Sequence, residues 1–176
     1  ANNTGTFRRD VVVMRSENFV DSIYVGQYDF EKDIKGKYKL TYYRDTTYTT
    51  TRTLTATVKD STITLSGMNL NLPYTFDEQT MSFVLETGSY AGKSGSDYIF
   101  TLLLDAKKEY NCNSMYGQLS HDADGNVVVP FRSVYGGMEF STIGLVKLTD
   151  NTFDVTKFNG YYQTLYRPTL TRVVTK

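Results

Sequence analysis

The stretch LSHDADGNVVVPF, Leu119 to Phe131, gathers the chain's only histidine, His121, with Asp122, Asp124, Asn126 and a glycine, Gly125. Three readings compete for it. A calcium loop of the EF-hand kind needs oxygen ligands at alternate positions, glycine at the sixth and a bidentate glutamate at the twelfth. Counted from Asp122, glycine falls at the fourth position and Ser133 at the twelfth, so that loop is excluded and only a looser set of Asp122, Asp124 and Asn126 remains. Histidine catalysis would need partners converging on His121, and the chain carries neither a G-x-S-x-G elbow nor an H-E-x-x-H helix. The third reading is a hairpin turn, and hydrophobic register favours it. A two-residue loop at Asp124-Gly125 would put Val127, Val129 and Phe131 on one face with Gln118, Ser120 and Asp122. A three-residue loop, Ala123-Asp124-Gly125 with Gly125 left-handed, sets His121 opposite Val127 and Leu119 opposite Val129, which unites the apolar residues on one face. Asp122 then pairs with Asn126 and can accept a turn amide hydrogen bond.

The remaining candidates for chemistry are sparse. Cys112, the single cysteine, has no cysteine or histidine partner at metal-ligand spacing and reads as structural. Glu31, Glu78, Glu86, Glu109 and Glu139 could in principle supply the two facing acids of a glycosidase, but nothing in the sequence ranks them. Tyrosine is more informative. Tyr42-Tyr43 and Tyr161-Tyr162 are adjacent pairs in strand-like runs, so one ring of each pair must face away from a single-sided core. Outward rings can stack on sugars, which makes Tyr43, Tyr162 and Tyr166 the candidate ligand-binding residues; the competing reading is that tyrosines simply fill and edge broad sheets. No metal or cofactor is expected, and the expectation for the whole chain is a protein that is not an enzyme.

The bulk properties agree with this. Nineteen basic residues balance nineteen acidic ones over 176 residues, so no net field draws the chain to nucleic acid or an anionic membrane. Its length suits one compact domain, residues 1–176, able to bury roughly two-thirds of its unfolded surface without a disulfide or metal. No run approaches the roughly 18 apolar residues of a membrane-spanning helix. The first residue is alanine, which suggests an upstream export signal or lipid-anchor cysteine removed by processing.

The elements that must position these groups are strands. Fifteen Tyr, ten Phe, abundant Thr, three Pro and no Trp favour a pleated, half-buried surface. From residue 36 the hydrophobic period is two: Tyr38, Leu40 and Tyr42 share one face, Leu54, Ala56 and Val58 another, then Ile63 and Leu65 after a short Lys59–Ser61 connection. Strands are expected at 72–76 and 81–85, joined by the polar DEQT turn. GSYAGKSGSD, residues 88–97, reads as a mobile loop. DYIFTLLLDAKK is apolar on both faces and should be a central, doubly covered strand. Alternation slips near Gly144, which suggests a bulge, and strands at TFDVTKF and YYQTLYRPTLTRVV close the chain. The first 35 residues differ: FRRDVVVMR looks like a strand, whereas Ser16 can cap a short helix with Phe19, Ile23 and Tyr24 at helical spacing.

Taken as a connected pattern, IKGKYKLTYY, TLTATVKDSTITLSGM and YTFDEQTMSFVLETGSYAG, within residues 34–92, resemble C-terminal β-domains of secreted or surface lipoproteins of gut Bacteroidetes. The resemblance implies an exported protein, periplasmic or at the outer-membrane surface, in a carbohydrate-related setting, and carries no catalytic residue. A weaker likeness, Gly36-Lys37-Tyr38 opening a meander, is to lipocalin-like barrels, whose usual tryptophan is replaced here by Tyr38. The expected architecture is all-β: an antiparallel meander of about eight to ten strands forming a barrel, with a two-sheet sandwich as the alternative. The expected role is an exported accessory or binding domain. A glycan is the first ligand, a small apolar molecule in a lipocalin-like cavity the second, and a structural spacer the third reading.

Overall fold

The computed structural model describes residues 7–173; residues 1–6 and 174–176, counted above within the single domain, lie outside the described residues. The chain opens with a long hairpin, β1 (Arg8–Ser16) and β2 (Phe19–Gln27), which forms a sheet of its own. A single π-type turn at Phe30–Ile34 leads into a meander of β3 (Gly36–Tyr43), β4 (Thr51–Val58), β5 (Thr62–Leu65) and β6 (Leu70–Pro73). Next come β7 (Thr75–Asp77), β8 (Ser82–Glu86), β9 (Tyr90–Ser94) and β10 (Asp97–Asp105). Short strands β11 (Asn111–Cys112), β12 (Ser114–Gln118), β13 (Ser120–His121), β14 (Val127–Pro130) and β15 (Ser133–Tyr135) precede the two longest, β16 (Met138–Leu148) and β17 (Phe158–Arg172).

The fold is all-β. Eight strands pair in the order β11-β10-β16-β17-β3-β4-β5-β6, antiparallel throughout, and curl into a nearly closed barrel. The near-closure runs through β9, which pairs with β10 and lies against β6: a Cβ on Gly92 would sit 2.9 Å from Leu70 Cδ2, and its φ of +146° is one that glycine alone adopts freely. A second sheet, β12-β8-β7, sends Phe83, Leu85 and Met115 into the same core. That core holds the residues assigned to it by alternation: Tyr38, Leu40 and Tyr42 of β3, Ala56 and Val58 of β4, Ile63 and Leu65 of β5 are all buried. Each such large side chain contributes roughly 1.5–3 kcal/mol by leaving water. Tyr38 satisfies its hydroxyl by donating to the Ile34 carbonyl at 2.6 Å, and burial pushes its pKa up to about 12 against the pull of Arg172. The buried side chains form one main cluster.

Several expectations are met in detail. β10 is covered on both faces, with Ile99 and Leu103 in the main core and Phe100 in a second cluster with Val146 and Leu148 on the barrel's outside. The Asp122 hairpin has the three-residue loop: His121 pairs with Val127, the Gly125 amide donates to the Asp122 carbonyl at 3.0 Å, and Gly125 has φ +81°.

Others are corrected. No helix starts at Ser16, which ends β1, and residues 19–27 form β2; Phe19, Ile23 and Tyr24 fit helical spacing, but with Val20 and Val25 they make a β-branched and aromatic run that pairs with β1 residue for residue. Residues 88–97 form β9 and its tight turn to β10, with the glycines used for strand approach at Gly92 and a left-handed turn at Gly95, φ +61°. The slip near Gly144 is displaced: Gly144 pairs regularly with Leu102 and Thr164, and the irregularities fall around Ser141 and around Val146–Lys147. Glycine is needed at 144 because a Cβ would meet the Tyr161 ring at 3.0 Å and Leu104 at 3.1 Å.

Candidate ligand-binding cleft

Alternation along β3 buries Tyr42 and turns Tyr43 outward, half exposed. Across the strand pair Tyr43 faces Tyr166, which shares its side of the sheet but is covered to 7 % exposure. Tyr162 lies elsewhere, packed against the main core, and it is Tyr161 that belongs to the outer cluster. The outward partner of that tyrosine pair is therefore Tyr161, because the register shifts between Leu145 and Val146 reset which residues of β17 point inward. Of the three candidate tyrosines, the structure brings Tyr43 and Tyr166 together and leaves only Tyr43 open to a ligand.

Tyr43 lines an open cleft of about 450 Å³ whose polar groups come from two strand ends and a bulge within a strand. The first is the β14–β15 junction, where Phe131 is buried and Arg132 points out, fixed by backbone bonds from Phe131 to Pro168 and from Arg132 to Tyr116, both 3.0 Å. The second is the start of β16, which supplies Glu139 and Ser141. The third is a bulge in β17: Tyr166 pairs with Tyr43 and Thr169 with Thr41, so β17 spends one extra residue there. That bulge holds Arg167 at φ +46°, a left-handed conformation that costs a residue with a Cβ of order 1–2 kcal/mol. Its effect is to aim the Arg167 side chain back over the sheet.

Glu139 is the hub. Arg132 meets its Oε2 at 2.8 Å, Arg167 approaches Oε1 at 3.8 Å, and the Ser141 hydroxyl donates to Oε1 at 3.0 Å. Arg167 also lies over the Tyr48 ring, 4.1 Å from its centroid, and Tyr48 meets Tyr43 edge to face at 5.4 Å. Two exposed guanidiniums thus share one carboxylate and leave an unbalanced positive charge on the cleft wall. A second cleft of about 350 Å³, lined by Thr80, Ser82, Tyr116 and Gln118, also uses Pro130 and Arg132. Taken together as a groove, the two clefts share Pro130 and Arg132, with Tyr43 lining one and Tyr116 the other.

Asp122, His121 and Cys112, weighed for other chemistry, do not line this groove. Asp122 accepts from the amides of Asp124 at 3.0 Å and Asn126 at 2.8 Å and from the Asn126 side chain, and these bonds hold its carboxyl below the ordinary range. Its oxygens serve its own loop. Among the described residues no group of three or more His, Cys, Asp and Glu is placed to hold a metal. His121 stacks on the buried Phe7 ring at 4.4 Å. Burial pushes the Cys112 thiol up to about 11, the state of a buried structural thiol rather than a nucleophile.

Arg132 and Arg167 were not singled out by sequence, and Glu139 only as one of five unranked acids. The usable signal was Arg167-Pro168 inside an otherwise regular strand pattern, since proline in a central strand marks a bulge or an edge. Comparison with family models, with curated proteins and with solved structures finds no match.

Proposed function

We propose that this protein is an exported, non-enzymatic binding domain that takes a glycan chain along the Tyr43–Arg132–Tyr116 groove. The observation that supports it most is the pair of open clefts that share Pro130 and Arg132, with Tyr43 lining one and Tyr116 the other, which together would form an extended open track. Such a track suits a chain of hydroxyl-rich units better than one compact molecule, because rings accept apolar sugar faces while the arginines, Ser141 and Gln118 address their rims. The surplus positive charge favours sugars carrying carboxylate or sulfate, for which a guanidinium is a geometrically matched partner. A carrier of small apolar molecules is less well supported, since the groove is open and its lining mixes charge with aromatic rings. Hydrolysis by two facing acids finds only Glu139 among the cleft-lining residues, already held by Arg132 and Ser141.

A glycan array that includes uronic and sulfated oligosaccharides tests this, with Tyr43→Ala, Arg132→Ala and, as a control away from the groove, Tyr110→Ala. Binding by wild type and Tyr110→Ala that falls at least tenfold in the other two variants is expected. No binding by wild type, or equal binding by all four, rejects the proposal.

A further inference from the structure

The β1–β2 hairpin is built unlike the rest of the molecule. It is an arm of two nine-residue strands in full register, and no other strand among the described residues pairs with either of its edges. Nearly every side chain on it is exposed, yet its middle is apolar: Val11, Val12, Val13, Met14, Phe19, Val20, Ile23, Tyr24 and Val25 are each between 46 % and 64 % exposed. Strands that are apolar on both faces are the kind a protein covers on both faces. A two-stranded hairpin left alone in water is only marginally stable.

The two faces differ. Register puts Val12, Met14, Phe19, Ile23 and Val25 on one side; on the other, the Arg9 guanidinium lies over the Tyr24 ring at 4.8 Å and already covers part of the surface. The first face is the bare one. The charges along the bare face are also asymmetric: its base carries Arg8 and Asp10, which balance, and its tip Asp21 with Glu17 in the connecting turn, so the tip has a surplus negative charge, while Arg9 and Arg15 lie on the opposite face.

We infer that the arm is a self-association surface whose occupant is the arm of a second copy of this chain. The two arms lie antiparallel, bare face on bare face, about 10 Å apart as stacked sheets do. A two-fold arrangement of this kind sets each Arg8 beside the partner's negative tip of Glu17 and Asp21, whereas a parallel one would oppose the two negative tips. The area is sufficient. The five bare-face apolar residues expose roughly 450 Å² per copy, so two arms remove about 900 Å² before the rim of Arg8, Asp10, Asp21 and Gln27 is added, against the about 1,000 Å² a specific interface needs. A bilayer is the other apolar environment available, but an open two-stranded sheet would carry its unpaired edge amides and carbonyls into hydrocarbon.

Sedimentation velocity on the full chain from about 1 to 100 µM reads the outcome. Wild type is expected to dimerise within that range and Ile23→Asp to remain monomeric with the thermal transition of the body unchanged. Reversing the tip with Glu17→Lys and Asp21→Lys should weaken the dimer at least tenfold at low salt, and adding Arg8→Glu should restore it. A wild type that stays monomeric to 100 µM overturns the inference, as does a dimer that survives Ile23→Asp. Monomeric wild type floating with phosphatidylcholine or phosphatidylglycerol vesicles would overturn it in favour of lipid.

Discussion

Arg167 shows how much one residue's backbone decides. Its left-handed conformation lets the guanidinium turn from the strand edge onto Tyr48 and Glu139, and it does so immediately before Pro168, which has no amide to give to a ladder. Stability and recognition therefore pull in opposite directions at this position. Arg167→Gly should raise the unfolding free energy by about 0.5–1 kcal/mol, the relieved strain outweighing a screened, exposed ion pair and the extra freedom glycine gives the unfolded chain. The same variant should lose affinity for the groove's ligand. Urea denaturation beside a binding titration checks both, and an Arg167→Gly protein less stable than Arg167→Ala would show that the conformation carries no strain.

At the scale of elements, the cleft depends on how closely β12 approaches the β14–β15 junction. Gly117 bridges Phe131, and a Cβ there would lie 2.6 Å from the Phe131 ring and 2.8 Å from Val129 Cγ1. Gly117→Ala should cost about 1–3 kcal/mol by overpacking and, by displacing Phe131, shift Arg132 in the groove. Thermal melting and ligand titration would report the two effects, and a variant with wild-type values in both would refute the account. The sequence revealed much of this level and missed the rest for definite reasons. The Asp122 hairpin was legible because its flanks have one wet face, so only one loop length keeps Leu119, Val127 and Val129 together. Residues 16–27 were misread because the arm has no wet face in its middle, which erases the period of two and leaves an accidental helical spacing. The groove was invisible because Arg132, Glu139 and Arg167 come from two strand ends and a bulge, and their meeting depends on that bulge, whose only trace is one proline.

For the whole molecule, the decisive arrangement is that β17 lies between β16 and β3, the seam that joins the two halves of the barrel. Its far end is pinned as well, since the Arg172 guanidinium donates to the backbone carbonyls of Lys32, Asp33 and Lys35 at the turn preceding β3. Removing residues 158–176 should therefore abolish the cooperative unfolding transition rather than lower its midpoint, with circular dichroism and limited proteolysis as the readouts. A truncated chain that still melts cooperatively would show that the β3–β6 meander folds by itself.

That seam also sets an order of events during synthesis. The first barrel strand made, β3, waits with one edge unpaired while more than a hundred residues are added, because its partner β17 comes latest in the sequence of the barrel strands. The barrel thus closes only once β17 has been made, and until then the nascent barrel strands stay open to chaperones, to proteases and to any machinery that handles proteins in unfolded form.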